Sequence, residues 1–100
     1  KIKFAIVSSN FKKTLLSVLE KHEKMCDFDM IVARDDVEAM KPNPEGLLRV
    51  VDKFDLTPSR CIYIGDLKSD EEAAKAGGLH FLYAQDLELY ILNDLDAKNK

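Results

Sequence analysis

The sequence predicts an α/β domain built on a parallel sheet. Two observations carry this. Short apolar, β-branched runs alternate with helical runs four times, over short connections. The run Cys61-Ile62-Tyr63-Ile64 ends in Gly65-Asp66, as a buried strand of a parallel sheet does before it turns toward a helix. Right-handed crossovers are expected between such strands.

The elements follow in order. Ile2–Val7 is apolar and β-branched, a strand, and runs into the small hydrogen-bonding residues Ser8-Ser9-Asn10. From Phe11 to about Lys24, apolar residues at Phe11, Leu15, Leu16, Val18 and Leu19 give an amphipathic helix reaching toward Met25. One of Ser8, Ser9 and Asn10 is expected to cap it. Phe28–Ala33 is a second strand, and Arg34–Met40 is a polar connection. In Lys41-Pro42-Asn43-Pro44, Pro42 holds Lys41 extended, Asn43 is placed to cap and Pro44 presets a first helical turn. Leu47, Leu48, Val50, Val51 and Phe54 give that helix its apolar face. Leu56–Arg60 turns into the strand Cys61–Ile64, expected to be buried on both faces. A helix from about Ser69 to Ala76 ends at Gly77-Gly78. Leu79–Ala84 is a fourth strand, with His80 an edge residue. Asp86 to about Leu95 is a terminal helix, and Asp96–Lys100 a loose tail.

Composition narrows the function classes. The chain has 100 residues, 46% hydrophobic and 33% charged, enough for one domain with a core. A net charge of -3 with interspersed signs gives no drive toward nucleic acid or acidic membranes. The longest apolar run is far short of a membrane span. Cys26 and Cys61 lack CxxC spacing, and His22 and His80 are not near them at ligand spacing, so neither a zinc site nor a disulfide is expected. A reducing, cytoplasmic setting follows.

Three stretches carry candidate chemistry. In open α/β sheets ligands bind beyond the carboxyl ends of the strands, which is where Asp66 stands. Gly65 is expected to free the backbone for a sharp exit and a close ligand approach. Asp66 and Asp70 suit a hard cation such as Mg2+; alone, they would serve equally to open a helix. The turn Ser8-Ser9-Asn10 presents hydroxyls and free N–H groups between a strand end and a helix start, a favourable place for an anion. Lys41, on a proline-stiffened backbone, is directed before its flexible stem begins; a lone Lys-Pro would otherwise be a surface turn.

Taken together, a strand ending in Ser8, Lys41-Pro42-x-Pro44 before a helix, and a strand ending in Gly65-Asp66-x-x-x-Asp70 resemble the haloacid dehalogenase (HAD) superfamily, over nearly the whole chain. The phosphoglycolate phosphatase and β-phosphoglucomutase-like branch fits best, with Asp35-Asp36-Val37 before the lysine and the Ala-rich helix ending at Gly77. The resemblance implies a HAD-like, Rossmann-like three-layer sandwich and a Mg2+-dependent phosphoric monoester hydrolase acting on a small phosphorylated metabolite. It implies that Ser8 binds the transferring phosphoryl group, helped by Ser9 and Asn10, and that Lys41 neutralises charge on the nucleophile and phosphoryl oxygens. It further implies that Asp66 is the direct Mg2+ ligand and that Asp70 either ligates through water or orients Lys41.

The family's Asp-x-Asp nucleophile motif and its strand are missing. Asp27-Phe28-Asp29 precedes its strand, and Asp94-Leu95-Asp96 follows a helical run with no Gly-Thr after it, so neither supplies the nucleophile. In the family that strand lies between the strands ending at Ser8 and Asp66, so a gap with unpaired edges is expected, which invites association. The cap is missing too. Residues 1–100 are therefore expected to be the C-terminal part of a HAD-like core, inactive alone, the parent working through an aspartyl-phosphate. The alternative is a non-catalytic, HAD-derived module binding a phospholigand or a protein. A receiver-like domain fails on the order of its acids and lysine, and a dinucleotide fold on the absence of GxGxxG.

Overall fold

A computed structural model describes residues 2–23 and 27–86. Four strands and three helices alternate: β1 (Ala5–Val7), α1 (Lys12–Lys21), β2 (Met30–Val32), α2 (Glu45–Lys53), β3 (Ile62–Gly65), α3 (Lys68–Gly77) and β4 (His80–Tyr83). β1 pairs parallel with β2, Ile6 beside Ile31, and β3 pairs parallel with β4, Tyr63 beside Phe81. The expected α/β order is therefore present, with α1 and α3 as the connections within the two pairs. The expected terminal helix and tail, Cys26 and Asp94-Leu95-Asp96 lie outside the described residues.

Side chains alternate across the strands and sort the core into two clusters. Ile6 and Ile31 pack with Phe28 against Leu15 and Leu19 of α1. Val7, Tyr63 and Phe81 pack on the other side, against Leu47 of α2 and Ala73 and Ala74 of α3. The result is three layers, helix, strands, helices. Ala73 and Ala74 are fully buried, and their small side chains let α3 lie close to β3 and β4.

The strands form two separate two-stranded sheets, not one. Between β1 and β3 runs a slot of about 560 Å³ of mixed lining, with Ala5, Val7, Ile62 and Tyr63 along the strands, Leu47 and Val51 of α2, and the polar Lys3, Asp55 and Arg60. This is the gap expected where a strand is missing. One side-chain bond spans it, the Tyr63 hydroxyl donating to the Val7 carbonyl oxygen at 3.1 Å.

One expectation is corrected. β3 was expected to be buried on both faces, but Ile62 and Ile64 remain 57% and 42% exposed. They point away from α2 and α3, and among the described residues no element covers that face; α1 packs on the β1–β2 side only. β1 is also shorter than its apolar run, because Ile2 and Phe4 lie outside the ladder and are exposed.

Gly65 serves a different purpose from the one expected. Its backbone is not left-handed; among the described glycines only Gly78, which ends α3, has a positive φ, of 81°. A Cβ at Gly65 would instead stand 2.6 Å from both Cβ and Oδ2 of Asp70. The glycine is needed so that the carboxylate of α3 can lie against the end of β3. Gly65→Ala in the full-length natural protein should therefore lower stability by about 1–3 kcal/mol through overpacking. Thermal melting checks this, and an unchanged transition would mean that Asp70 does not pack there.

Candidate functional site

The carboxyl ends of β1, β2 and β3 converge with the connection that precedes α2. Ser8 follows β1, and its N–H donates to the Val32 carbonyl at 2.9 Å, continuing the ladder by one residue. The Ser8 Oγ accepts from the Asn10 N–H at 3.1 Å, which folds the turn and leaves the hydroxyl proton to donate elsewhere. The expected cap on α1 comes from another segment. Phe11 stands at the N-cap position with no side-chain cap, and the Lys12 N–H donates to Asp35 Oδ1 at 2.9 Å.

Asp36 ties the same corner from the other side, accepting from the Ala33 N–H at 2.8 Å and pairing with Lys12 Nζ at 2.6 Å. The Lys12 bond, aided by the Ala33 N–H, holds the Asp36 carboxyl below its ordinary value against the opposing effect of burial. These bonds fix how the chain leaves β2 beside the Ser8 turn.

Glu45, in the first turn of α2, clamps the segment leading to Lys41. Its carboxylate accepts from the Ala39 N–H at 3.0 Å and the Glu38 N–H at 3.1 Å. Asn43 does act at the helix start, its Oδ1 accepting from the Glu45 N–H at 2.9 Å. The Lys41–Pro42 peptide bond is cis. The Glu45 and Asn43 bonds hold the segment from which Lys41 leaves.

Lys41 reaches a buried polar cluster. Its Nζ donates to Asp70 Oδ1 at 2.6 Å and to the Tyr63 hydroxyl at 2.8 Å. Asp70 is only 3% exposed, and both its oxygens are engaged, since Oδ2 accepts from the N–H groups of Asp66 and Leu67 at 3.1 Å each. The Leu67 bond is the reach-back half of a capping box at the start of α3. Of the two roles that the resemblance leaves to Asp70, this geometry favours orienting Lys41. Burial opposes both charges, but their contact prevails: the Lys41 ammonium and the backbone N–H groups hold Asp70 below its ordinary 3.8, and the bonds to Asp70 and Tyr63 hold Lys41 above its ordinary 10.5. Burial, first of all, raises the Tyr63 phenol, which keeps its proton to donate to Val7.

Asp66 differs from Asp70 in every respect. It lies just beyond β3 and is exposed, and among the described residues its carboxylate makes no hydrogen bond or ion pair. Ser8, Ser9 and Lys41 line one cavity of about 20 Å³, room for a single water-sized group. Asn10 lies outside its wall. Tyr63 and Glu45 were not legible as site residues: a tyrosine in a strand reads as core, and a glutamate in a first turn reads as a dipole partner.

The ion pair has a signed pH consequence. Asp70 titrates lower when folded, so its contribution is present above 3.8 and fades as the pH falls below it. Lys41 titrates higher when folded, so its contribution persists up to 10.5 and fades only above that. Asp70→Asn should cost about 3 kcal/mol at pH 7, because it strands a largely buried ammonium. Chemical denaturation should show wild type and variant converging below pH 3.8; a constant difference across that range would contradict the pairing.

The haloacid dehalogenase-like hydrolase family model matches residues 1–84. The chain is 32% identical to a phosphorylated carbohydrates phosphatase of Thermotoga maritima over 94 residues, which are 94% of this chain and 42% of that protein. It is 30% identical to a phosphoglycolate phosphatase of Nitrosospira multiformis over 100 residues, covering 95% and 44%. Its fold matches the crystal structure of a HAD phosphatase from Thermococcus onnurineus with a TM-score of 0.74 at 32% identity, over 81% of this chain and 38% of that one. The chain thus spans less than half the length of these relatives. The chain belongs to the haloacid dehalogenase-like hydrolases.

Proposed function

We propose that residues 1–100 are the C-terminal part of the core of a phosphomonoesterase that acts on small phosphorylated metabolites in the cytoplasm. The observation that carries this is the fixed Lys41 ammonium, held by Asp70 and Tyr63 at the carboxyl ends of the strands beside Ser8 and Ser9. Phosphoryl transfer asks the protein chiefly for positioning and charge compensation. Lys41 offers a compact cation with its direction set by backbone and partners, Ser8 a hydroxyl proton, and Ser9 and Asn10 neighbouring polar groups.

Asp66 fits a Mg2+ ligand. Its carboxylate is exposed and unengaged, and Mg2+ commonly takes one or two carboxylates, with waters and substrate oxygens completing its shell. Bound there, Mg2+ would supply charge neutralisation at the phosphoryl group. Asp70 contributes by holding Lys41 and, through the Asp66 N–H, the start of the loop that bears Asp66.

The nucleophilic carboxylate is assigned to a segment outside these residues, whose strand fits the slot between β1 and β3. Attack on the phosphorus would break its bond to the ester oxygen, releasing the substrate's alcohol as that oxygen takes a proton, and form an aspartyl-phosphate, which water then hydrolyses to inorganic phosphate and the free carboxylate. The slot's two facing edges support this reading, as does the chain's share of its relatives.

The test is hydrolysis of p-nitrophenyl phosphate by the full-length natural protein with and without Mg2+. Turnover that requires Mg2+ is expected, and Lys41→Ala and Asp66→Asn should each reduce it by about a hundredfold or more. Near-normal turnover by a folded variant would remove that residue from the site. Phosphate binding without turnover would instead favour the non-catalytic module.

A further inference from the structure

Arg34 is a cation that the reading above does not use. It follows β2 by two residues, and its N–H donates to the Asn10 carbonyl oxygen at 2.9 Å, tying it to the turn that carries Ser8 and Ser9. It lines the same small cavity as Ser8, Ser9 and Lys41. Its guanidinium lies over the Phe11 ring, 5.2 Å from the centroid, and donates to the Met40 sulfur. Both partners are neutral.

The adjacent acids form no ion pair with it. Asp35 accepts from the Lys12 N–H, and Asp36 from the Ala33 N–H and Lys12 Nζ. Among the described residues no carboxylate forms an ion pair with Arg34. Lys41, by contrast, is already balanced by Asp70. The uncompensated charge on this cavity wall is therefore the guanidinium, held by a ring that is itself 57% exposed.

Resting on the phosphomonoesterase reading, we infer that Arg34 binds a second anionic group of the substrate, a carboxylate or a second phosphate on a short carbon chain. A guanidinium fork pairs with either oxyanion through two parallel hydrogen bonds. Stacking on Phe11 limits the side-chain freedom left to lose on binding. The cavity beside Ser8 and Lys41 holds no more than a water-sized group, so the second anion lies at the rim, where Phe11 and Arg34 meet solvent.

The test compares three substrates in the full-length natural protein with Mg2+: 2-phosphoglycolate, ethylene glycol bisphosphate and uncharged-tailed ethyl phosphate. Arg34→Gln should lower the kcat/KM ratio of an acidic substrate to ethyl phosphate by about tenfold to a hundredfold. Loss confined to one acidic substrate identifies which anion is bound. Arg34→Lys, which keeps the charge without the fork, should fall between, and it decides the matter if the glutamine variant does not fold. Unchanged ratios, or equal losses on all three substrates, would overturn the assignment. If the wild type hydrolyses none of them, the phosphatase reading fails separately. Calorimetric titration of 2-phosphoglycolate and ethyl phosphate into wild type and variant then gives the same ratio as a binding preference, and no preference overturns it.

Discussion

The Asp70 carboxylate organises the molecule. One oxygen takes Lys41, and the other takes the N–H groups of Asp66 and Leu67. A single side chain on α3 thereby fixes the exit from β3, the start of its own helix and the tip of a lysine twenty-nine residues earlier. Water could not do this, because water would screen the ion pair and leave the lysine free. The bond is strong because the site is largely dry, and it is tolerable there because every oxygen lone pair of consequence is matched. Gly65 is a consequence of Asp70, since no side chain fits between that carboxylate and the end of β3.

A second constraint works against the first. Parallel sheets need both faces covered and their interior edges paired. Here β1 and β3 face each other across a slot, and the Tyr63 hydroxyl answers one backbone carbonyl along it. The remaining connection between the sheets runs through α2, which packs beneath both. The polar cluster thus bridges two halves whose backbones do not pair. A strand placed in the slot would pair those edges and set its carboxyl end close to Lys41, Ser8 and Asp66, so the fold's weakest seam and its candidate chemistry share one location.

Much of this was legible in the sequence where local chemistry was decisive. The alternation of β-branched and amphipathic runs placed all four strands and three helices, because each needs only its own periodicity. Lys41 stood out because Pro42 and Pro44 follow it and stiffen its backbone, and Gly65-Asp66 because an apolar run ended there. What stayed hidden depends on residues distant in sequence. The cap on α1 comes from Asp35, twenty-three positions away, and no local pattern distinguishes it from Ser8 or Asn10. Tyr63 reads as core until its hydroxyl is seen between Val7 and Lys41. The exposure of Ile62 and Ile64 was equally invisible, since their spacing is that of a covered strand and their cover depends on elements distant in sequence.

The distribution of charge follows the same division of labour. Lys41 is held by a buried acid, so its position is fixed and its net charge with Asp70 is zero. A pair of that kind can orient a phosphoryl group but attracts an anion weakly from solution, because its field is that of a dipole and falls quickly. Arg34, after β2, and Asp66, after β3, are the reverse, a cation and an anion that form no ion pair among the described residues. Exposed and uncompensated, they act over longer distance and suit partners of opposite sign, an anionic group for one and a cation for the other. Buried charges thus fix geometry, exposed charges stay open to solvent, and the two sets meet at the ends of β1, β2 and β3.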